Sequence, residues 1–434
     1  MPSAFAASAI AAPAVSGAAG SAPVASTTMT MVDTSRSTAA WGGKPEAPSR
    51  TLVTTIWYPN PSSRSRRPGK GAYPLVVFSH GLGANPELYR PLLAAWAAAG
   101  YVVAAPQFPL SSSATPGGAD AGDVENQPGD VSFVIDRVLS ASAAPSGPLS
   151  GLVDAKKIGV AGHSNGAITT LGVVANTCCR DPRVKAAIEM AGATEGMGRG
   201  RYDFAKAPPL FVVHDVHDGL VPYAGAIAIY NRARGPKALL SIDWDSPSDA
   251  TGVVAHGAAA AMVGPTTGAV VTSTTDFFDA ILKHERRAAR AVSADGRSSH
   301  SKVYTAWTRG SRAKLPVPKP AEVHLQATVT PDRGLHDGDA VTVQWSGYSA
   351  GKVVNILECS HVDLTSGGSS GCSFDHAALL HPDPTGSGSV VIHVGTGAIG
   401  NGICDAAHSC SIIVNNASLT DPADTKVLPI SFAP

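Results

Sequence analysis

The pentapeptide Gly162-His163-Ser164-Asn165-Gly166 constrains this chain more than any other feature, because of where it stands. It follows the short apolar run Ile158 to Ala161 and opens a helical pattern after Ser164. A chain passing directly from strand to helix must turn sharply at the serine, and only glycine at the flanking positions lets the two backbones pass without a clash. The turn lifts the hydroxyl above the end of a sheet. Gly-x-Ser-x-Gly alone arises often by chance, but between a strand and a helix it predicts a nucleophilic serine, Ser164.

The surrounding periodicity agrees with that placement. Ser49 to Tyr58 is rich in β-branched and aromatic residues and stops at Pro59-Asn60-Pro61, as a strand with a sharp exit does. The apolar runs Leu75 to Phe78, Tyr101 to Ala105, Ile158 to Ala161, Ala186 to Met190, Leu210 to Val213 and Ala238 to Trp244 follow. Helical patterns near Pro86 to Ala98, near Val131 to Leu139 and after Ser164 separate them. Continuous apolar strands divided by helices predict an α/β unit, a mostly parallel sheet with helices on both faces. Arg64, Arg66, Arg67 and Lys70 stand among Ser, Pro and Gly and read as a solvated loop.

A serine hydroxyl attacks a carbonyl only when a base removes its proton, and a carboxylate must orient that base; the order expected downstream is Ser, Asp, His. The run Leu210 to Val213 ends in His214-Asp215-Val216-His217-Asp218-Gly219, where Asp218 is the expected acid and Asp215 the runner-up. Past Ala238 to Trp244, a Gly-containing stretch carries His256, the expected base. His214 and His217 are expected to shape the acid loop, and His284, in a charged stretch, to be solvated. The tetrahedral intermediate needs two N–H donors. The amide of Asn165 is one, and Leu82, in Phe78-Ser79-His80-Gly81-Leu82-Gly83, supplies the other, with His80 supporting the loop. No clustered His/Cys set has zinc spacing, and no metal or cofactor is expected.

These residues resemble the serine α/β-hydrolases similar to platelet-activating-factor acetylhydrolase, secreted lipases, polyester hydrolases and dienelactone hydrolase-like proteins. The likeness covers about Met29 to Arg290 and rests on Arg50-Thr51-Leu52 to Trp57-Tyr58-Pro59, Ser79 to Gly83, Asn126-Gln127-Pro128, Gly162 to Gly166, Asp218, and Thr275 to Ala280. It implies an α/β-hydrolase fold and a carboxylic ester hydrolase with a Ser164, Asp218, His256 triad and a Leu82, Asn165 oxyanion hole. Dienelactone hydrolases use a cysteine nucleophile, so that part of the likeness concerns fold alone.

The rest of the chain is organised differently. Residues 1–32 carry no charge and are mostly Ala, Ser, Val, Pro and Gly, which reads as a low-complexity leader, either the remnant of an export signal or a flexible terminus. The catalytic unit is expected over 33–293, a proline-containing linker over 294–322, and an all-β, immunoglobulin-like sandwich over 323–434, where short alternating segments such as Ala340 to Trp345 meet Gly-containing turns.

Cys359, Cys372, Cys404 and Cys410 fall in that last region. Pairing them as neighbours closes two short loops, worth about 3 and about 2 kcal/mol, and suits an oxidising compartment; two other pairings and a zinc site are the alternatives from spacing. Val329-Thr330-Pro331, Gly334 to Gly338, Gly402-Ile403-Cys404 and Cys410 to Val414 resemble the neocarzinostatin family over about Ala327 to Phe432. Cys178-Cys179 reads as two small buried hydrophobes, with a strained vicinal disulfide as the alternative.

Balanced charge, 33 Lys+Arg against 33 Asp+Glu, excludes a nucleic-acid grip, and no apolar run is long enough to span a bilayer. Charged residues at 15%, against a typical ~25%, suit an apolar lipid, short-chain or polymeric ester as the substrate. The expectation is a secreted serine esterase. Rival readings are an inactive hydrolase fold binding a small apolar ligand through its β-sandwich, and a serine peptidase. The sequence is silent on oligomeric state.

Overall fold

The computed structural model describes residues 23–60, 72–194, 197–216, 218, 221, 223–243, 265–317, 325–348, 354–362, 371–380, 386–400, 402–416 and 425–434. In chain order, strands β1 (Val24–Asp33), β2 (Arg50–Pro59), β3 (Tyr73–Ser79), β4 (Val102–Gln107), β5 (Val153–His163), β6 (Val184–Met190), β7 (Leu210–Asp215), β8 (Lys237–Ile242) and β9 (Ser301–Ala306) build the first unit. Between them lie helices α1 (Arg90–Ala98), α2 (Gln127–Ala143), α3 (Asn165–Ala175), α4 (Tyr223–Arg232), α5 (Thr267–Leu282) and α6 (Ala288–Asp295). The strands form one nine-stranded sheet in the order β1-β2-β4-β3-β5-β6-β7-β8-β9. From β4 through β8 the pairs are parallel, while β1/β2, β2/β4 and β8/β9 are antiparallel.

Parallel strands buried on both faces need apolar residues at every position, and the runs read from the sequence supply them. Val77, Val160 and Val212 face one layer, where α2 packs Val131, Val134, Ile135 and Val138 at helical spacing beside Leu171 and Val174 of α3. Val76, Phe78, Ala161 and Phe211 face the other layer, filled by Leu92, Leu93 and Trp96 of α1 and by Phe277 and Phe278 of α5. Each such buried side chain contributes about 2 kcal/mol. Trp96 stands edge-on to Phe278 at 5.4 Å and donates its indole N–H to Thr274.

Three expectations are corrected. Residues 24–32 do not belong to a leader outside the fold: β1 pairs with β2 along its whole length, from Val24 opposite Pro59 to Asp33 opposite Arg50. Its Thr-Met-Thr-Met alternation buries Met31 and leaves Thr28 and Thr30 exposed. The spacer expected over 294–322 likewise begins inside the first unit, because β9 closes the sheet against β8. The chain beyond it stays tied down: Lys237 Nζ donates to the Ala313 carbonyl at 2.6 Å, and Asn231 bonds both main-chain groups of Leu315 at 2.8 and 2.7 Å. Cys178 and Cys179, expected as buried hydrophobes, form a disulfide with each other, and Cys178 is exposed. α3 ends its buried face at Ala175, and the side chain of Asn176 turns the backbone outward by accepting from the Cys178 amide.

The C-terminal residues form β10 (Gln326–Thr330), β11 (Ala340–Ser346), β12 (Val354–Cys359), β13 (Cys372–Leu380), β14 (Gly388–His393), β15 (Gly397–Ile399), β16 (Gly402–Cys404), β17 (Cys410–Asn416) and β18 (Thr425–Ile430). A three-stranded sheet β10-β11-β14 and a four-stranded sheet β13-β12-β17-β18 enclose Val341, Val343 and Trp345 from one side and Val354, Ile356, Ile412 and Val414 from the other. The fold is therefore an α/β-hydrolase sheet followed by an all-β sandwich. Cys359 pairs with Cys372 across β12 and β13, and Cys404 pairs with Cys410 across β16 and β17, which selects the neighbour pairing. Among the described residues no helix is long and apolar enough to cross a membrane.

Candidate active site

β5 ends at His163, α3 begins at Asn165, and Ser164 between them takes φ 55° and ψ −121°. A non-glycine residue with positive φ is strained, and such strain persists only where the surroundings over-determine it. Here they do. The Ser164 amide donates to the Met190 carbonyl at the end of β6, and its own carbonyl accepts from Ala167 and Ile168 in the first turn of α3. Both glycines are dictated by close approach. A Cβ on Gly162 would lie 2.1 Å from the Gly166 carbonyl oxygen, and one on Gly166 would lie 2.1 Å from the Ser79 oxygen. The elbow is thus wedged between β5, β6 and the end of β3, and Ser164 stays half-exposed above it.

The loop after β3 lies directly against the elbow. A Cβ on Gly81 would come 3.4 Å from Ser164 Cβ. The loop's other amides are engaged inside the protein: Gly81 donates to Tyr89 Oη, Gly83 to the Ser111 carbonyl and Ala84 to the Gly81 carbonyl. Among the described residues the Leu82 N–H meets no acceptor. Asn165 opens α3, and the first-turn N–H groups of a helix have no intrahelical partner. Among the described residues, then, neither the Leu82 amide, next in the chain to Gly81, nor the Asn165 amide, next to Ser164, is committed to a loop or helical bond. His80 supports the loop as expected. Its Nε2 accepts from the Phe108 amide at 3.1 Å, which leaves the proton on Nδ1 for the Gly81 carbonyl at 2.8 Å. Burial holds this ring neutral, pushing its pKa down to about 4.

Of the two candidate acids, Asp215 ends β7 and Asp218 stands three residues beyond it, and both are buried. Asp218 Oδ1 accepts from the Val221 amide at 2.9 Å, and His214 Nε2 lies 2.8 Å from the Val221 carbonyl and 3.5 Å from Asp218 Oδ2. His214 therefore braces the turn that carries Asp218. β5, β6, β7 and β8 are successive parallel neighbours, so Ser164 and Asp218 leave the same edge of the sheet two strands apart, about 10 Å at the usual strand spacing. His256 and His217 lie outside the described residues; the stretch holding His256 follows Asp243, just past β8. His284 is exposed.

Sequence reasoning missed three groups around this site. Tyr89, on a 3-10 turn at Pro86–Tyr89, bridges the loop and the elbow. Glu189, one residue before the end of β6, is fully buried, and its Oε2 accepts from the Gly192 amide at 2.8 Å. Arg50 is also fully buried and forms paired hydrogen bonds to both Asp123 and Asp130, at 2.7 to 2.9 Å. Arg36 extends that network to Asp130 and Asp33. A glutamate inside the apolar run Ala186 to Met190 was the signal available for the second, since a buried carboxyl is rare without a reason.

The sequence model of the Chlorophyllase family matches residues 56–191, and that of the Neocarzinostatin family matches residues 327–432. No curated protein matches the chain. Among solved structures, a ferulic acid esterase from Streptomyces cinnamoneus is similar, at 24% identity and a TM-score of 0.45, covering 67% of this chain and 98% of that one. The chain thus joins an α/β-hydrolase unit, similar to chlorophyllases over 56–191, to a β-sandwich similar to the neocarzinostatin family over 327–432.

Proposed function

We propose that this protein is a serine carboxylic ester hydrolase that works through an acyl-enzyme. Ser164 Oγ attacks the ester carbonyl while His256 takes its proton, and Asp218 holds the imidazole in the tautomer that can do so. The Leu82 and Asn165 amides receive the oxyanion, and His256 then protonates the leaving alcohol. Water enters by the same route in reverse and frees the acid. No metal or cofactor takes part. The observation that carries this reading is the main chain of Ser164, held at positive φ by two glycines with no room for a side chain. Such strain, spent on presenting one hydroxyl at the end of the sheet, has no use in packing. The substrate is a lipid, short-chain or polymeric ester, in keeping with the low content of charged residues. The protein works outside the reducing cytosol, a placement supported by its three disulfides.

A fluorophosphonate probe is expected to label the folded protein and to fail on Ser164→Ala, with nitrophenyl ester turnover falling at least about ten-thousand-fold in Ser164→Ala and His256→Ala. Asp218→Asn should lose far more activity than Asp215→Asn. A folded wild-type chain that neither labels nor turns over esters would overturn the proposal in favour of a binding protein. Faster cleavage of peptide amides than of esters would make it a peptidase.

A further inference from the structure

One buried hydroxyl joins the two halves of the proposed machinery. Tyr89 Oη accepts the Gly81 N–H at 3.1 Å and lies 2.8 Å from Nδ1 of His163. Burial pushes its phenol well above the ordinary range, so it stays a neutral hydroxyl that shares one hydrogen bond with Nδ1 of His163. Gly81 directly precedes Leu82, and His163 directly precedes Ser164. The ring is 1% exposed and packs on Phe78 with centroids 4.7 Å apart, so the hydroxyl has no freedom to swing away. A Cβ on Gly81 would meet Tyr89 Oη and His163 Nδ1 at 3.2 Å each. The three groups fill the seam between loop and elbow.

We propose that Tyr89 is a positioning residue for the ester hydrolysis: through Gly81 and His163 it sets the distance between the Leu82 amide and Ser164 Oγ. The proposal rests on the reading of Ser164 as nucleophile and Leu82 as oxyanion donor. A hydrogen bond to the oxyanion strengthens as charge develops, so loss of register lowers kcat and leaves ground-state binding nearly unchanged. Removing an oxyanion donor outright costs about 100- to 1,000-fold, and a displaced donor loses part of that.

Tyr89→Phe keeps the ring and its packing and removes only the hydroxyl. On a nitrophenyl ester, kcat is expected to fall roughly 10- to 100-fold with KM within about twofold. Affinity for a trifluoromethyl ketone, whose tetrahedral adduct needs the hole, should fall by the same factor. His163→Leu should show the same pattern, and His163→Gln, whose amide can donate to or accept from the Tyr89 hydroxyl, should recover most of that loss. The double variant Tyr89→Phe/His163→Leu should be no worse than either single one. If Tyr89→Phe does not fold, the contrast between His163→Leu and His163→Gln decides alone. Wild-type kcat and inhibitor affinity in folded Tyr89→Phe, or a loss confined to KM, would overturn the positioning role while leaving Ser164 labelling intact. A wild-type chain with no labelling at Ser164 would instead remove the functional reading, and the positioning role with it.

Discussion

Glu189→Gln tests whether a buried carboxyl beside the Ser164 turn is carried without charge. Glu189 stands opposite Gly162 on β5 and Val212 on β7, in the middle of the sheet, with 0% exposure. Oε2 accepts one bond, from Gly192, and Oε1 meets no partner among the described residues. Burial pushes its pKa from the ordinary 4.5 up to about 8, and the Gly192 amide offsets that only in part. The folded protein therefore holds this proton at neutral pH and the unfolded chain does not. Unfolding releases a proton between about pH 4.5 and 8, so stability is greatest below that window and falls as pH rises through it.

The slope is about 1.4 kcal/mol per pH unit, or about 3 kcal/mol between pH 5 and 7. Glutamine has the same shape, can still accept from Gly192 and never ionises. The stability of Glu189→Gln relative to wild type should therefore climb by about 3 kcal/mol over those two pH units, all other titrating groups cancelling in the difference. Urea titrations read by hydrogen exchange in peptides covering β6 report on this unit without the sandwich. A difference that stays constant from pH 5 to pH 8 would refute the reasoning, because it would mean that Glu189 ionises in the fold as it does in water.

Two further outcomes follow from contacts at the elbow and in the Arg50 network. Arg50→Met leaves Asp123 buried and Asp130 with only Arg36, and should cost about 3 to 5 kcal/mol in urea unfolding. Adding Asp123→Asn and Asp130→Asn should recover part of that loss, since the uncompensated charge is then gone. Gly162→Ala forces a methyl group against the Gly166 carbonyl oxygen, a backbone atom that can yield only by moving the elbow. Its esterase activity should fall at least about 100-fold and its thermal midpoint by several degrees, read by ester turnover and calorimetry.

The legible parts of this protein were those written in neighbouring residues. The apolar runs of β3 to β8 and the spacing of Val131, Val134, Ile135 and Val138 gave strand and helix directly, and Gly162 to Gly166 marked the elbow. Composition obscured the edges of the sheet. β1 carries a period-two pattern, but it lies in an uncharged Ala- and Ser-rich stretch, and β9 is a six-residue edge strand that reads as spacer. Neither edge strand buries enough apolar surface to stand out from a loop.

What the sequence determined by itself is the class of fold and the serine turn, because steric limits on φ and ψ and the periods of helix and strand act between close neighbours. Only the tertiary structure decided which polar groups meet. Arg50 reaches Asp130 across 80 residues, and Tyr89 reaches His163 across 74. Those partners follow from strand order and layer packing, which place distant segments side by side and then require every buried donor and charge among them to find a mate.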